Sequence, residues 1–476
     1  MKRGEITVFL SLVFILLLSF VMGILQVSVI QSSKSLSRLA VDRAVYSLFG
    51  EYHQELLKSF HVFAIDGSYG TGQYEEDNLI RRMHYYGTEN TDHQITAVQY
   101  LTDNGGQAFR EQVLEYMEQK YGVSLIKGFT GMTSKWEEEE IQGEKMQKTQ
   151  EQIKEQIESL TDGGAEGEAL NESGENPFSC IEQIEQNGIL SIVMPEDMTL
   201  SGRLIELEQQ ASYRSLRHGR GSFPARTDAD GLTGKLLFDE YILRKFQNAA
   251  MKEETEQQEV LGEEDESDSG KEKEKSLNYE VEYILSGKAS DKENLEAVLM
   301  KIFLIRMAMN YSFLYGDSEK QNEAQAIAAV VSTILLIPEA SEAIKQAVLA
   351  AWAAGESIMD LRALLSGKRA AVSKSAESWQ LSASALFRLG SDEDSHNGYD
   401  AEGGMTYEDY LRILLFLTDT EAVTMRTIDR VEENLVSDEK GRIFLADQCI
   451  TKIEIMNTAV IYGEISYEFP VCFAYQ

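Results

Sequence analysis

The chain is poor in the residues that most often betray chemistry: three cysteines, six histidines and five prolines among 476 residues. Cys180, Cys449 and Cys472 are odd in number, widely spaced and free of any CxxC pair, which excludes a disulfide-rich scaffold and a recognisable zinc motif. One bridge between Cys449 and Cys472 is open in an oxidising compartment, but three buried free thiols are the expectation. Positive charge is scarce too. Lys and Arg number 44 against 79 Asp and Glu, a formal net charge of −35. So acidic a body repels nucleic-acid phosphates and anionic lipid head groups, and neither is expected as a direct partner.

Reactive constellations are also missing. His53, His61, His84, His93, His218 and His396 form no HExxH or other ligand pair. No GxSxG, SxxK or Cys–His arrangement stands out, and the glycines from Gly67 to Gly72 lack the Lys-Ser or Lys-Thr of a phosphate loop. Asp392, Asp394, His396 and Asp400 imitate a calcium loop, yet Asn397 stands where the turn needs Gly and no Glu occupies the twelfth position. Asp228, Asp230 and Gly231 are a shorter imitation, and both stretches read as solvated acidic loops. With 79 acids, any pair of carboxylates could be nominated as acid and base, so none is. No enzymatic activity, metal or cofactor is expected.

What the chain does have is residues 6–30, ITVFLSLVFILLLSFVMGILQVSVI, an apolar run without a charge. At about 1.5 Å per residue it is long enough to cross a hydrocarbon core roughly 30 Å thick. It is too long for the core of a cleaved secretory signal, and Gln31-Ser32-Ser33 is a poor cleavage site. A signal anchor and a pilin-type leader with a retained helix both remain. Lys2 and Arg3 are balanced by Lys34, Arg38 and Arg43, so flanking charge alone does not orient the segment. A four-residue leader offers nothing to translocate, whereas the long acidic remainder behaves as an exported body. The expectation is a single pass through the cell membrane, residues 6–30 in lipid, the N-terminus cytoplasmic and the ectodomain extracellular.

Beyond the run, residues 31–60 hold no proline and place Leu36, Leu39, Val45, Leu48, Phe49, Tyr52, Leu56 and Phe60 mostly three and four apart, predicting an amphipathic helix that prolongs the first. A short strand at 60–65, a turn at 66–70, a helix at 75–86 and a strand at 94–101 follow. Residues 107–160 read as helical, with a solvated charged face over 134–162, and 160–177 as a loop. After a helix at 232–249, the low-complexity acidic stretch 251–276 cannot bury enough apolar surface to offset its ordering entropy. The second half opens with an alternating strand at 277–285 and an N-cap at Ser290 or Asp291 before a helix at 294–315. Segments 324–337 and 340–354 are each too short to span a bilayer and predict a buried helical hairpin. Helices at 406–418, begun by Thr406 and Asp409 in a capping box, and at 421–435 lead to a hairpin over 452–475 that turns near Tyr462 and Gly463. That hairpin is expected to share a sheet with the strand at His61. The fold class is therefore α+β: a transmembrane helix continuing into a long amphipathic helix, then a largely helical ectodomain with a small antiparallel sheet. The expected divisions are 1–31 leader and anchor, 32–250 first part of the ectodomain, 251–276 linker and 277–476 second part.

Two stretches resemble a known family. KRGEITVFLSLVFILLLSF continuing into SLSRLAVDRAVYSLFGEYHQELLKSFHVFAID, and EVEYILSGKASDKENLEAVLMKIFLIRMAMNYSFLYGD with TYEDYLRILLFL, resemble an uncharacterised membrane-anchored family of Gram-positive bacteria classed as a domain of unknown function. Its members look like relatives of TadE and TadG pseudopilins and accompany Tad (Flp) pilus assembly and secretion components. The resemblance implies a pilin-like accessory subunit whose partners are other subunits of that apparatus. It also implies processing after Gly4, which would leave Glu5 as the first residue. The alternative is an anchored ligand-binding or sensing ectodomain, with the loop at 391–404 as a contact.

Overall fold

The computed structural model describes residues 3–122, scattered residues between 133 and 148, and 176–475 except 196–197, 227–230, 251–275, 391–393, 395–396, 439–442 and 463–464. Most of the charged stretch 134–162, the loop 160–175, the acidic linker up to residue 275, and Asp228, Asp230, Asp392 and His396 lie outside the described residues. Two compact units form: unit 1 is Met1–Tyr116, Arg214–Thr227 and Val431–Gln476, and unit 2 is Met117–Tyr213 and Asp228–Arg430. The architecture is α+β, mostly helical with one antiparallel sheet.

Unit 1 is organised by α1 (Arg3–Phe49), a single 47-residue helix. It contains a stretch long and apolar enough to cross a membrane, and residues 6–29 of that stretch have no protein packed over them. The helix changes character at its far end, where Val41, Ala44, Val45, Leu48 and Phe49 are buried in one cluster with Ile95, Val98, Ile450, Ile453 and Ile455 of the sheet. The expected continuation to Phe60 does not occur. Gly50 leaves the helix, and His53 starts a new one, α2 (Gln54–Phe60), by accepting the Leu56 N–H on its Nδ1 at 3.1 Å. Gly50 was the one strong breaker in that span, and a histidine cap is invisible to apolar periodicity.

The sheet comprises β1 (Ile65–Asp66), β2 (Thr91–Tyr100), β3 (Cys449–Ile461) and β4 (Ile465–Ala474), with β3 pairing antiparallel to all three others. β2 lies on one side of β3; β1 and β4 follow one another on the other. The C-terminal hairpin thus joins the N-terminal strand, as expected. That strand is shorter than its sequence suggests, because the side-chain amide of Gln112, on α4 (Asp103–Tyr121), takes both backbone groups of Phe63: Phe63 N–H donates to Oε1 at 2.7 Å and Nε2 donates to Phe63 C=O at 3.0 Å. A side chain substitutes for a strand partner there. Asp66 then bends the chain by accepting the Ser68 and Gly70 N–H groups.

Further along unit 1, α3 (Glu76–Met83) runs into a π-turn at His84–Thr88 before β2. The segment 214–226 straps the edge of β2 through reciprocal Val98–Arg220 backbone bonds of 2.9 and 3.0 Å. Its arginines are held by acids: Arg214 by Glu432 and Asp447, each at 2.7 Å, Arg220 by Glu76, and Arg226 by Glu115 at 3.1 Å. On the opposite edge, Tyr475 N–H donates to Thr451 C=O at 3.1 Å, which fixes the phase of β4. Odd-numbered residues turn their N–H toward β3 and even-numbered ones turn outward. Pro470, with no N–H, occupies an outward position.

Unit 2 is helical: α5 (Ser179–Asn187), α6 (Leu190–Val193), α7 (Leu232–Lys245), α8 (Glu280–Ser286), α9 (Asp291–Gly316), α10 (Ser318–Ile334), α11 (Ser341–Leu365), α12 (Ala383–Leu386), α13 (Tyr407–Leu417) and α14 (Thr420–Asp438), the last running on into unit 1. Ser290 caps α9, α10 and α11 form the expected buried hairpin, and Thr406 and Asp409 complete the capping box of α13. α9 also has the length and composition of a membrane span, but more than half of its apolar window is buried inside the protein.

One expectation fails outright. The alternating LNYEVEYIL is helix α8, with every residue from Glu280 to Leu285 buried. Period-two patterning reports only a one-sided burial, and here both faces are covered. The two glutamates that mimicked a solvent face instead accept backbone N–H groups, Glu280 from Gln247 at 3.0 Å and Glu282 from Ala249 at 2.9 Å.

Phe49 packs 4.1 Å from the ring of Phe473 and 5.1 Å from that of Tyr475. Phe49→Ala should lower the stability of unit 1 by about 3–5 kcal/mol in denaturant titration of the detergent-solubilised chain, whereas Leu36→Ala, at an exposed position, should change it by less than about 0.5 kcal/mol.

Candidate functional site

In unit 2, charged groups are drawn together where no solvent reaches. α11 carries Glu356 and Asp360 one turn apart, so both carboxylates leave the same face. α9 presents Arg306 and Asn310 in the same relation. The loop after α11 returns Lys374 between the two acids, donating to Glu356 Oε1 and, at 2.8 Å, to Asp360 Oδ1. Arg306 donates to Asp360 Oδ2 from Nε at 3.0 Å and Nη2 at 2.7 Å, and Asn310 Nδ2 adds a third donor at 3.1 Å. Arg306, Glu356 and Asp360 are 0% exposed, and 1% of the Lys374 side chain is.

Two positive and two negative groups make the cluster neutral, and neighbours complete it. Glu356 Oε2 accepts the Leu381 N–H at 2.7 Å, and Arg306 Nη1 reaches Ala371 C=O at 2.7 Å and Tyr410 Oη at 3.1 Å. Burial pushes Asp360 upward, but Arg306 and Lys374 overcome it and hold its carboxyl below the ordinary range. Burial wins at Glu356, whose affinity for a proton is raised.

Other acids of unit 2 are less well compensated. Asp239 is 2% exposed, its Oδ2 has no hydrogen-bond partner, and burial pushes its pKa up to about 8 against the pull of Lys235 and Arg412. Glu282 receives Ala249 N–H and Tyr407 Oη–H on one oxygen and nothing on the other; burial raises it to about 7.

Unit 1 has a cleft of about 340 Å³ beside the start of α2, lined among others by Glu51, Tyr52, His53, Asp66, Tyr69 and Phe444. Glu51 is already engaged, by Arg82 Nε at 3.1 Å and by the hydroxyls of Tyr69 and Tyr86. Asp66 is occupied by its turn and His53 Nδ1 by its cap. The cleft therefore offers aromatic surface and acceptor oxygens, and among the described residues no free nucleophile beside a base.

Gly4 and Glu5 lie in the first turns of α1. The imitation calcium loop is dismantled by arginines: Asp394 pairs with Arg362 and Asp400 with Arg369, each at 2.7 Å, and the Arg369 hydrogen bonds hold Asp400 down to about 2. Among the described residues no three His, Cys, Asp or Glu side chains gather as a metal site requires. All three cysteines are free; Cys180 and Cys449 are buried, but Cys472 is exposed, and the β3–β4 register sets it opposite Glu454, out of reach of Cys449. His61 closes α2 in a left-handed conformation, and buried His93 is held by Thr88 and Asn457, each at 2.7 Å. The ionic cluster went unnoticed in the sequence although it left a trace: Arg306 inside the apolar stretch 302–309, and Glu356 and Asp360 inside the apolar stretch 347–361.

These features define an α+β protein with an apolar N-terminal helix and a helical unit built around buried charge. Residues 167–460 match a family of unknown function, DUF5702, and the chain belongs to that family. No curated protein and no solved structure matches it.

Asp239 sets the expected pH response. An unfolded aspartate titrates near about 4. Between there and about 8 the folded chain retains a proton that the unfolded chain has lost, so stability falls as pH rises through that window. Asp239→Asn should flatten the decline in melting temperature between pH 5 and 8.5; parallel curves for the two proteins would show that Asp239 does not carry it.

Proposed function

We propose that this chain is a non-enzymatic, membrane-anchored, pilin-like subunit of the TadE type, structural or accessory, in a Tad pilus or secretion apparatus of a Gram-positive bacterium. α1 carries the reading. Its inner half has no protein cover, which suits lipid, while its last turns, Val41 to Phe49, enter the core of unit 1, so anchor and head share one helix. Leu36, Leu39 and Tyr46 are 66%, 65% and 74% exposed, spaced three and seven apart on a face that the core does not use. Such a stripe suits packing against neighbouring subunits. The short leader with Lys2 and Arg3 stays cytoplasmic and the body outside, and cleavage after Gly4 would leave the helix whole with Glu5 at its start. A photo-crosslinker at Leu39 in the native envelope should trap other subunits of the apparatus; recovery of the monomer alone would sink the proposal.

The cleft beside Glu51 favours one other reading, an anchored ectodomain that binds a ligand. On that reading a small-molecule or glycan screen of the full chain in detergent should find a compound that raises the melting temperature and loses its effect in Tyr52→Ala. A screen in which no compound passes both criteria counts against it.

A further inference from the structure

The ionic cluster places an amine, a carboxyl carbon, a proton carrier and a set of oxyanion donors in one dry site. Lys374 Nζ lies 2.8 Å from Asp360 Oδ1 and also contacts Glu356, while Oδ2 of the same aspartate faces Arg306 and Asn310 at 2.7–3.1 Å. Donors at that distance from one carboxyl oxygen stabilise the negative charge that appears there when a nucleophile adds to the carbon. We propose that Lys374 and Asp360 are joined by an intramolecular amide bond that the folded chain forms by itself.

The step balances without a co-reactant. Glu356 takes a proton from the Lys374 ammonium; Nζ adds to Cγ of Asp360, and the displaced electron pair rests on Oδ2, against Arg306 and Asn310. Glu356 then carries to Oδ1 both protons that leave Nζ. The pair on Oδ2 restores the carbonyl as the Cγ–Oδ1 bond breaks, and Oδ1 departs as water. Nζ keeps one hydrogen, aimed at Glu356, and Oδ2 keeps its three donors. The raised proton affinity of Glu356 suits a group that accepts and returns protons.

The driving force lies in the burial. An ammonium and a carboxylate held out of water each carry a desolvation cost, and condensation replaces both with a neutral amide that the existing donors and acceptors satisfy. Fixed reactants at contact distance also remove the entropic cost of meeting. Once water has left so enclosed a place, hydrolysis must bring it back.

Peptide mapping of the purified full-length chain tests this directly. Trypsin does not cut after an acylated lysine, so the expected product is a branched peptide, residues 346–362 joined to 370–388, lighter than the sum of the two by about 18 Da, one water. Free 346–362 together with a chain cut after Lys374 would overturn the proposal, as would a link mapped to another acid. Glu356→Gln, which keeps an acceptor for the Leu381 N–H, should lose the branched peptide; its persistence would overturn the role of Glu356. Lys374→Arg, which keeps the cation but cannot give this amide, should lack the branched peptide and melt at a lower temperature than wild type, and an unchanged melting temperature would count against the link.

Discussion

The burial of five consecutive-turn side chains of α1, Val41, Ala44, Val45, Leu48 and Phe49, against the sheet is the contact on which unit 1 depends. A four-stranded sheet needs one face covered, and the covering element here is the end of the same helix whose beginning has no protein around it. Fully burying each of the four larger side chains contributes about 1.5–3 kcal/mol, so together they approach the whole net stability of an ordinary domain. β3 and β4 arrive from the C-terminus to receive that helix, so the first and last fifty residues fold as one body. Pulling the end of α1 out of unit 1 would therefore mean unfolding unit 1.

Much of this was legible in advance because it rests on long, one-sided patterns. The apolar run, the C-terminal hairpin, the hairpin of α10 and α11 and the capping box at Thr406 each have a signal that survives any tertiary setting. The misses share a different cause: a polar side chain took over a backbone role. Gln112 displaced a strand partner at Phe63, His53 restarted a helix that periodicity ran straight through, and Glu280 and Glu282 turned inward to hold main-chain N–H groups. The His53 cap is local but rests on a residue type that seldom caps, whereas Gln112 and the two glutamates act on groups 49 and 33 residues away, which no local window contains. The same holds for Lys374, whose meaning depends on two acids and an arginine from separate elements.

An excess of acid over base of this size leaves its mark in the interior of unit 2. The cluster around Asp360 matches two cations to two carboxylates, while Asp239 and Glu282 each keep an oxygen with nothing to receive. Arg306 and Lys374 together hold the Asp360 carboxyl down, while burial raises the proton affinity of Asp239, Glu282 and, despite its contact with Lys374, Glu356. One helical unit thus contains both responses to buried negative charge.

Pro470 bears on crowding. Where copies of a protein crowd together, an exposed strand edge is an invitation to fuse into a continuous sheet. At the middle of the outer rim of β4 the proline withholds a donor, interrupting the ladder that a neighbouring strand would need. Neighbouring copies of the chain can then touch through side chains without zipping together through their backbones.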